Sequence, residues 1–269
     1  MEIDPWAGAA GIGLIALETV DSTNAQALRY GNEGERGPLW VTARTQSAGR
    51  GRRGRSWISE PGNLYASLLL SDPAPPMQVA QCSFVAAVAV HDAISDAAPG
   101  LAARLTLKWP NDVLYGTRKL AGILIEGEGR DPMIVATGIG INCCHHPDDA
   151  AYPATNLEAE GVVVSPAEMF LALSYRMAER LAQWDGGARF ADIRTAWLAR
   201  GPAPGAGLRV RLSDGEVTGR FQTIDEEGNL VLMKADGSRR RITAGDVFPL
   251  STDGAGHIGG AVTPSRQPT

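Results

Sequence analysis

Cysteine is scarce in this chain of 269 residues, with only Cys82, Cys143 and Cys144. Three cysteines, two of them adjacent, cannot make a disulfide framework, so a secreted disulfide scaffold is excluded and a reducing cytoplasm fits best. Positive charge is not in excess either. Lys and Arg number 25 against 30 Asp and Glu, a net charge of −5, and a general nucleic-acid footprint is therefore missing. The first residues, MEIDPWAGAAG, carry no basic region of a secretory signal. The most apolar segment, 77–98, has Phe84–Val90 as its longest unbroken apolar run, far short of a bilayer span. It predicts a buried helix, and no membrane partner is expected.

Against this acidic background stands one basic stretch. Residues 45–57 read TQSAGRGRRGRSW, with Arg50, Arg52, Arg53 and Arg55 set among Gly49, Gly51 and Gly54. No acid lies between Trp40 and Ser59. Glycine allows close backbone approach to a ligand, and the guanidinium fork pairs with phosphate or carboxylate without losing its charge. The stretch lacks both the P-loop lysine and the dinucleotide spacing. Such runs also serve as flexible nucleic-acid tails. Here, however, 38–46 (PLWVTARTQ) reads as a strand entering the loop and 63–70 (NLYASLLL) as one leaving it, which holds the loop at a site.

The rest of the chain divides by pattern. Residues 13–18 predict a strand, and Asp21-Ser22-Thr23-Asn24 a helix start, with Gly31 as its end. Capping alone accounts for Ser22 and Thr23, although the same polar cluster suits a pocket at a helix N-terminus. Residues 105–115 predict two short strands around the turn Pro110-Asn111-Asp112. The runs 118–127 and 132–142 predict a central hairpin, in which Gly138 and Gly140 mark a close approach. Residues 166–183 and 190–200 predict helices, and 201–207 a linker. From Leu208 onward come short alternating strands. The expectation is an α+β fold: a mixed, mostly antiparallel sheet with helices on one side, plus a small β-barrel. Its boundaries are 1–203, 204–250 and a disordered tail at 251–269.

Four polar clusters thus sit at strand ends: 21–24, 46–57, 108–112 and Lys119. Arginines suit phosphate. Lys119, flanked by LAGILI, would be partly desolvated, and Asp112 could hold Mg²⁺ or orient an amine. This inventory suits activation of a carboxylate by ATP. Each group also has a plainer role: Trp57 and Tyr65 as core aromatics, Lys119 as a surface charge, Asp112 as a turn cap. The run Cys143-Cys144-His145-His146 does not have the spacing of a tetrahedral metal site.

GRGRRGRSW, KWPNDV, RKLAGILIE and GIGIN, in that order and with DSTN ahead of a helix, resemble the signature blocks of biotin protein ligases. The terminal strands, RFQTIDEEGNLVL and ITAGDV, resemble that family's SH3-like C-terminal domain. The resemblance spans roughly 15–250. It implies a class II synthetase-like catalytic fold that makes biotinyl-5'-AMP from biotin and ATP, with Mg²⁺ on the ATP phosphates and no protein metal cage. Biotin would then pass to a lysine of a biotin carboxyl carrier protein or domain. The implied biotin-binding residues are Ser22, Thr23, Asn24, Gln46, Arg50, Gly51, Arg52, Trp57, Tyr65, Lys119, Leu124 and Gly138. Those for ATP and phosphate are Arg50, Arg52, Arg53, Arg55, Lys108, Asn111, Lys119, Gly140 and Asn142. Lys119, Arg52 and Asp112 would be catalytic, and the Gly-rich loop would be mobile when empty and close on ligand. Lipoyl or octanoyl transferases share the superfamily but not this loop, and remain an alternative, as does a nucleic-acid binder. Some members carry an N-terminal helix-turn-helix. Only residues 1–20 precede the DSTN block, so no operator-binding role is expected. A homodimer is plausible on the resemblance alone.

Overall fold

Among the described residues, two sheets and five α-helices emerge from these patterns. The computed structural model describes residues 1–148 and 152–250; the expected disordered tail, 251–269, lies outside them. In chain order the elements are α1 (Pro5–Ala9), β1 (Gly13–Val20), α2 (Thr23–Asn32), β2 (Leu39–Gln46), β3 (Leu64–Ser71), α3 (Cys82–Ala97), β4 (Leu105–Lys108), β5 (Asp112–Tyr115), β6 (Arg118–Glu128), β7 (Ile134–Ile141), α4 (Pro166–Trp184), α5 (Phe190–Leu198), β8 (Gly207–Arg211), β9 (Glu216–Ile224), β10 (Leu230–Met233), β11 (Arg239–Ile242) and β12 (Asp246–Pro249).

The first seven strands form one sheet in the order β1-β2-β3-β7-β6-β5-β4. Only the β1–β2 pair is parallel, so the sheet is mixed and mostly antiparallel, as expected. The 118–127 and 132–142 runs form the predicted hairpin and place β7 at the centre.

Strand alternation sends successive side chains to opposite faces, and both faces are covered. On one face Trp40, Leu68 and Leu70 pack with α3, α4 and α5 in the larger core. On the other, Leu39, Val41, Leu69, Ile134 and Ala136 pack with Ala27 and Leu28 of α2. The placement of helices on one side alone therefore needs correction: α2 covers the opposite face. Its short length hid this, because a helix of 10 residues, about three turns, does not reveal which side of a sheet it meets.

Two boundaries also shift. Gly31 does not end its helix. It lies inside α2, where an added Cβ would come within 2.3 Å of Ile134, so its smallness lets the helix lie on the sheet. The apolar segment 77–98 is not one helix. Residues 76–81 form a 3₁₀ turn, and α3 begins at Cys82. This segment is long and apolar enough to cross a bilayer, but most of it is packed into the core. The helix over 166–183 forms as α4, started by a capping box of Ser165 and Glu168 with Pro166 at its first position.

The last five strands form an antiparallel sheet in the order β11-β10-β9-β8-β12. This sheet shares the larger core through Leu208, Val210, Phe221, Ile224 and Leu230. Trp109 Nε1 donates to Gly228 O at 2.9 Å across the junction, and Arg194 Nε donates to Ile224 O at 2.6 Å. Gly228 has φ +87°, and a Cβ there would meet the Phe84 ring at 2.9 Å, so glycine is required twice over.

Candidate active site

The α2 face of the sheet is built from small residues where α2 stops covering it. Gly138 and Gly140 of β7 lie opposite Leu124 and Gly122 of β6, and Tyr65 and Ser67 of β3 flank them on the other side. The two glycines do mark a close approach, and the approaching groups are the chain's own. A Cβ at Gly138 would lie 2.3 Å from Asn24 Oδ1, and one at Gly140 would lie 2.6 Å from the Trp57 ring. Trp57 also crosses Gly122, where a Cβ would meet it at 2.9 Å. Its indole therefore lies flat against a glycine floor. Tyr65 is buried beside it and donates to Glu60 O at 2.8 Å; burial pushes its phenol well above the usual range.

A polar chain runs along one side of this floor. Ser22 caps α2, its hydroxyl accepting from Ala25 N–H. Gln46 Oε1 accepts from Thr23 N–H at 2.8 Å and from Thr23 Oγ1 at 3.0 Å, and Gln46 Nε2 donates to Ser59 Oγ at 2.8 Å. The Ser67 hydroxyl sits 2.8 Å from Thr23 Oγ1 and 2.6 Å from Asn24 Oδ1. Asn24 Nδ2 donates to Leu124 O at 3.2 Å and to Glu126 Oε2 at 2.9 Å, and the same Glu126 oxygen takes Arg50 Nη2 at 3.0 Å. Ser67 and Glu126 are members that sequence reasoning missed. Each was visible as a polar residue interrupting an apolar run, in LYASLLL and ILIEG.

On the other side lies a charged cluster. Lys108 Nζ is 2.8 Å from Asp112 Oδ2, and Lys119 Nζ is 2.6 Å from Asp112 Oδ1. Burial pushes the Asp112 carboxyl up, but the ammonium groups of Lys119 and Lys108 more than offset this and leave it at about 2. Burial likewise pushes the Lys108 ammonium down, with Asp112 acting against that shift. The turn Pro110-Asn111-Asp112 delivers both neighbours. Asn111 Nδ2 donates to Ile123 O at 2.6 Å, which leaves its oxygen to accept from Arg52 Nη1 at 3.1 Å.

The Arg/Gly stretch is a tight hairpin. Trp57 N–H donates to Gly49 O at 2.9 Å and Gly51 N–H to Arg55 O at 2.7 Å, while Arg53 and Gly54 turn the tip at φ +57° and +72°. Its base depends on Gly49, where a Cβ would fall 2.4 Å from Trp57 O. Its arginines reach outward to fixed acceptors: Arg50 to Glu126, Arg52 to Asn111, and both Arg53 and Arg55 to Asp246 of β12, at 2.9 Å and 3.1 Å. Burial works against the charge of Arg52, and Asp246 and Asp112 work for it. Asn142 Nδ2 donates to Thr155 O at 2.9 Å and ties the segment after β7 to the sheet. The run Cys143–His145 wraps around Asn63, whose Oδ1 accepts all three N–H groups at 2.8, 3.0 and 3.1 Å. This explains the run as a turn.

Trp57, Lys119, Asp112 and Lys108 therefore stand together, with Lys119 Nζ 5.2 Å from the Trp57 ring centroid. A glycine floor under an apolar indole, bordered by amide and hydroxyl groups on one side and by cations on the other, is suited to a small acid with a polar head and to a polyphosphate.

Comparison with known proteins agrees with that chemistry. The model of the Biotin/lipoate A/B protein ligase family matches residues 16–143, and that of the Biotin protein ligase C terminal domain matches 208–248. The chain is 43% identical over 240 residues to the biotin--[acetyl-CoA-carboxylase] ligase of Paracoccus denitrificans, covering 86% of this chain and 98% of that protein. It is 34% identical over 254 residues to the ligase of the same description from Mycobacterium tuberculosis, covering 90% and 91%. The solved biotin protein ligase from Aquifex aeolicus in complex with biotin and ATP superposes with a TM-score of 0.75 at 28% identity, over 88% of this chain and 99% of that one. The chain belongs to the biotin protein ligase family.

Proposed function

We propose that this protein activates biotin with ATP and transfers it to a lysine of a biotin carboxyl carrier domain, acting in the reducing cytoplasm. The observation that carries the reading is the meeting of Lys119, Asp112, Lys108 and Arg52 beside the Trp57 ring. A biotin carboxylate oxygen attacks the α-phosphorus of ATP, the bond to pyrophosphate breaks, and biotinyl-AMP forms. Charge gathers on the phosphate oxygens, so the chain contributes mainly by positioning and electrostatics. A lysine ammonium about 4 Å from such a charge interacts by about 4 kcal/mol at an effective dielectric near 20. Only the part that grows in the transition state speeds the reaction. Asp112 aims two ammonium groups at one place, and Asn111 does the same for Arg52.

Thr23, Asn24 and Gln46, with Ser67 behind them, offer donors and acceptors to the ureido ring, while Trp57, Tyr65 and Leu124 flank the apolar tail. Arg53 and Arg55 can exchange Asp246 for phosphate oxygens, and Arg50 can exchange Glu126. In the second step the carrier lysine amine attacks the anhydride carbonyl, the C–N bond forms and AMP leaves.

Mg²⁺ is expected on the ATP phosphates. The acids here do not fit a protein cage: both oxygens of Asp112 face lysines, Glu126 faces Arg50 and Asn24, and Asp246 faces two arginines. The test is the mass of a purified carrier domain incubated with the protein, ATP and biotin. A gain of one biotinyl group on a single lysine supports the reading. An unmodified carrier with a product of lipoate or octanoate instead would move the chain to the sister activity.

A further inference from the structure

Tyr152 lies on the polar segment after β7, and nothing in the sequence singled it out. The residues beside it grip Lys119 by its backbone: Lys119 N–H donates to Pro153 O at 2.7 Å, and Thr155 N–H donates to Lys119 O at 2.9 Å. That bridge sets the Tyr152 ring against the other lysine of the cluster, with Lys108 Nζ 3.7 Å from the ring centroid. The ring also meets Phe248 of β12, centroids 6.0 Å apart and planes tilted by 39°. Phe248 in turn lies under Arg209 and Arg211, at 4.8 Å and 5.3 Å from its centroid. An aromatic link therefore joins the C-terminal sheet to the charged cluster.

Chemistry explains why a ring would serve here better than a carboxylate. Two ammonium groups and one Asp112 carboxylate leave one positive charge in excess for phosphate. A second acid beside Lys108 would cancel it. An aromatic face attracts the ammonium through its quadrupole and leaves its charge intact. The ring stays neutral, since burial pushes the Tyr152 phenol to about 12.

We propose that Tyr152 is a positioning residue for adenylation: its ring and Asp112 together hold the Lys108 ammonium in one orientation toward the nucleotide phosphates, and Phe248 makes that orientation depend on the C-terminal sheet. This rests on the ligase reading.

The test is biotin-dependent pyrophosphate release by the full chain and by Tyr152→Phe, Tyr152→Leu and Phe248→Leu, with kcat, KM for biotin and Tm measured for each. Tyr152→Leu should lose about tenfold in kcat, the size of one partly desolvated cation–π contact, with KM for biotin and Tm unmoved. Tyr152→Phe keeps the ring and should recover the lost turnover, and Phe248→Leu should lower kcat by less than Tyr152→Leu. Parental kcat in Tyr152→Leu overturns the proposal. So does a Phe variant as impaired as the Leu variant, or a loss that falls equally on KM for biotin. Should Tyr152→Leu not fold, Phe248→Leu decides, and unchanged turnover there overturns the link. An active parent indifferent to these changes sinks only this proposal, whereas a parent that releases no pyrophosphate sinks the ligase reading itself.

Discussion

Asp112 is where the account is most exposed at the level of single residues. It is buried, and its charge is stabilised only because two lysines face it. In the unfolded chain its carboxyl titrates near pH 3.9, and in the folded protein at about 2. Between those values the unfolded state binds more protons, so stability from this group is full above about pH 4 and is lost as pH falls through 2. Acid unfolding followed by circular dichroism should therefore flatten in Asp112→Asn across that window. The same substitution should cost about 3–5 kcal/mol at neutral pH, because it leaves two lysine charges without their buried partner. Gly140 gives a second prediction. Ala there would push into the Trp57 ring at 2.6 Å, so Gly140→Ala should displace the indole and weaken biotin binding at least about tenfold by calorimetry, while costing no more than about 1–3 kcal/mol of stability. Gly138 and Gly140 were legible as close approaches because they interrupt an apolar strand, whereas Ser67 and Glu126, polar groups set in such strands, were missed. Tyr152 was not legible either, because a single aromatic in an irregular polar segment carries no period to read.

Among the elements, the Arg/Gly hairpin and β12 form the unit whose behaviour can be measured. Asp246 takes both Arg53 and Arg55, each pair half open to solvent, so each contributes about 0.2–1 kcal/mol. Asp246→Ala should speed limited trypsin cleavage after Arg53 and Arg55 by about two- to tenfold and leave cleavage elsewhere unchanged. Saturating ATP should reverse the effect if phosphates take over the same guanidinium groups. Strands β2 and β3, the loop between them and the β6–β7 hairpin were legible from apolar, β-branched runs and the polar, glycine-containing links between them. The face covered by α2 was not, nor was the turn that precedes α3. Both depend on what an element packs against, and Gly31 illustrates it: read along the chain it looks like a terminator, and only the nearness of Ile134 shows it to be a contact.

Across the whole molecule, the two sheets share one core. Leu208, Phe221 and Leu230 belong to the same cluster as Val85 and Phe170, and the buried Trp109–Gly228 hydrogen bond seals the junction. Calorimetry should therefore give a single transition, and Trp109→Phe should lower Tm by about 2–4 °C per kcal/mol lost, without splitting it. The terminal strands were legible as a small sheet from their alternation and turns, but the surface it docks on rests on partners such as Trp109 and Arg194, 119 and 30 positions from their acceptors. The central claim is that the Trp57 site and the lysine pair activate biotin with ATP. The most direct measurement is pyrophosphate release from ATP with biotin, lipoate and octanoate in parallel, in the parent and in Lys119→Ala. The account predicts release with biotin alone, reduced by at least about a hundredfold in Lys119→Ala, as for loss of one preorganised transition-state contact. Release that ignores the acid supplied, or survives intact in Lys119→Ala, would contradict it.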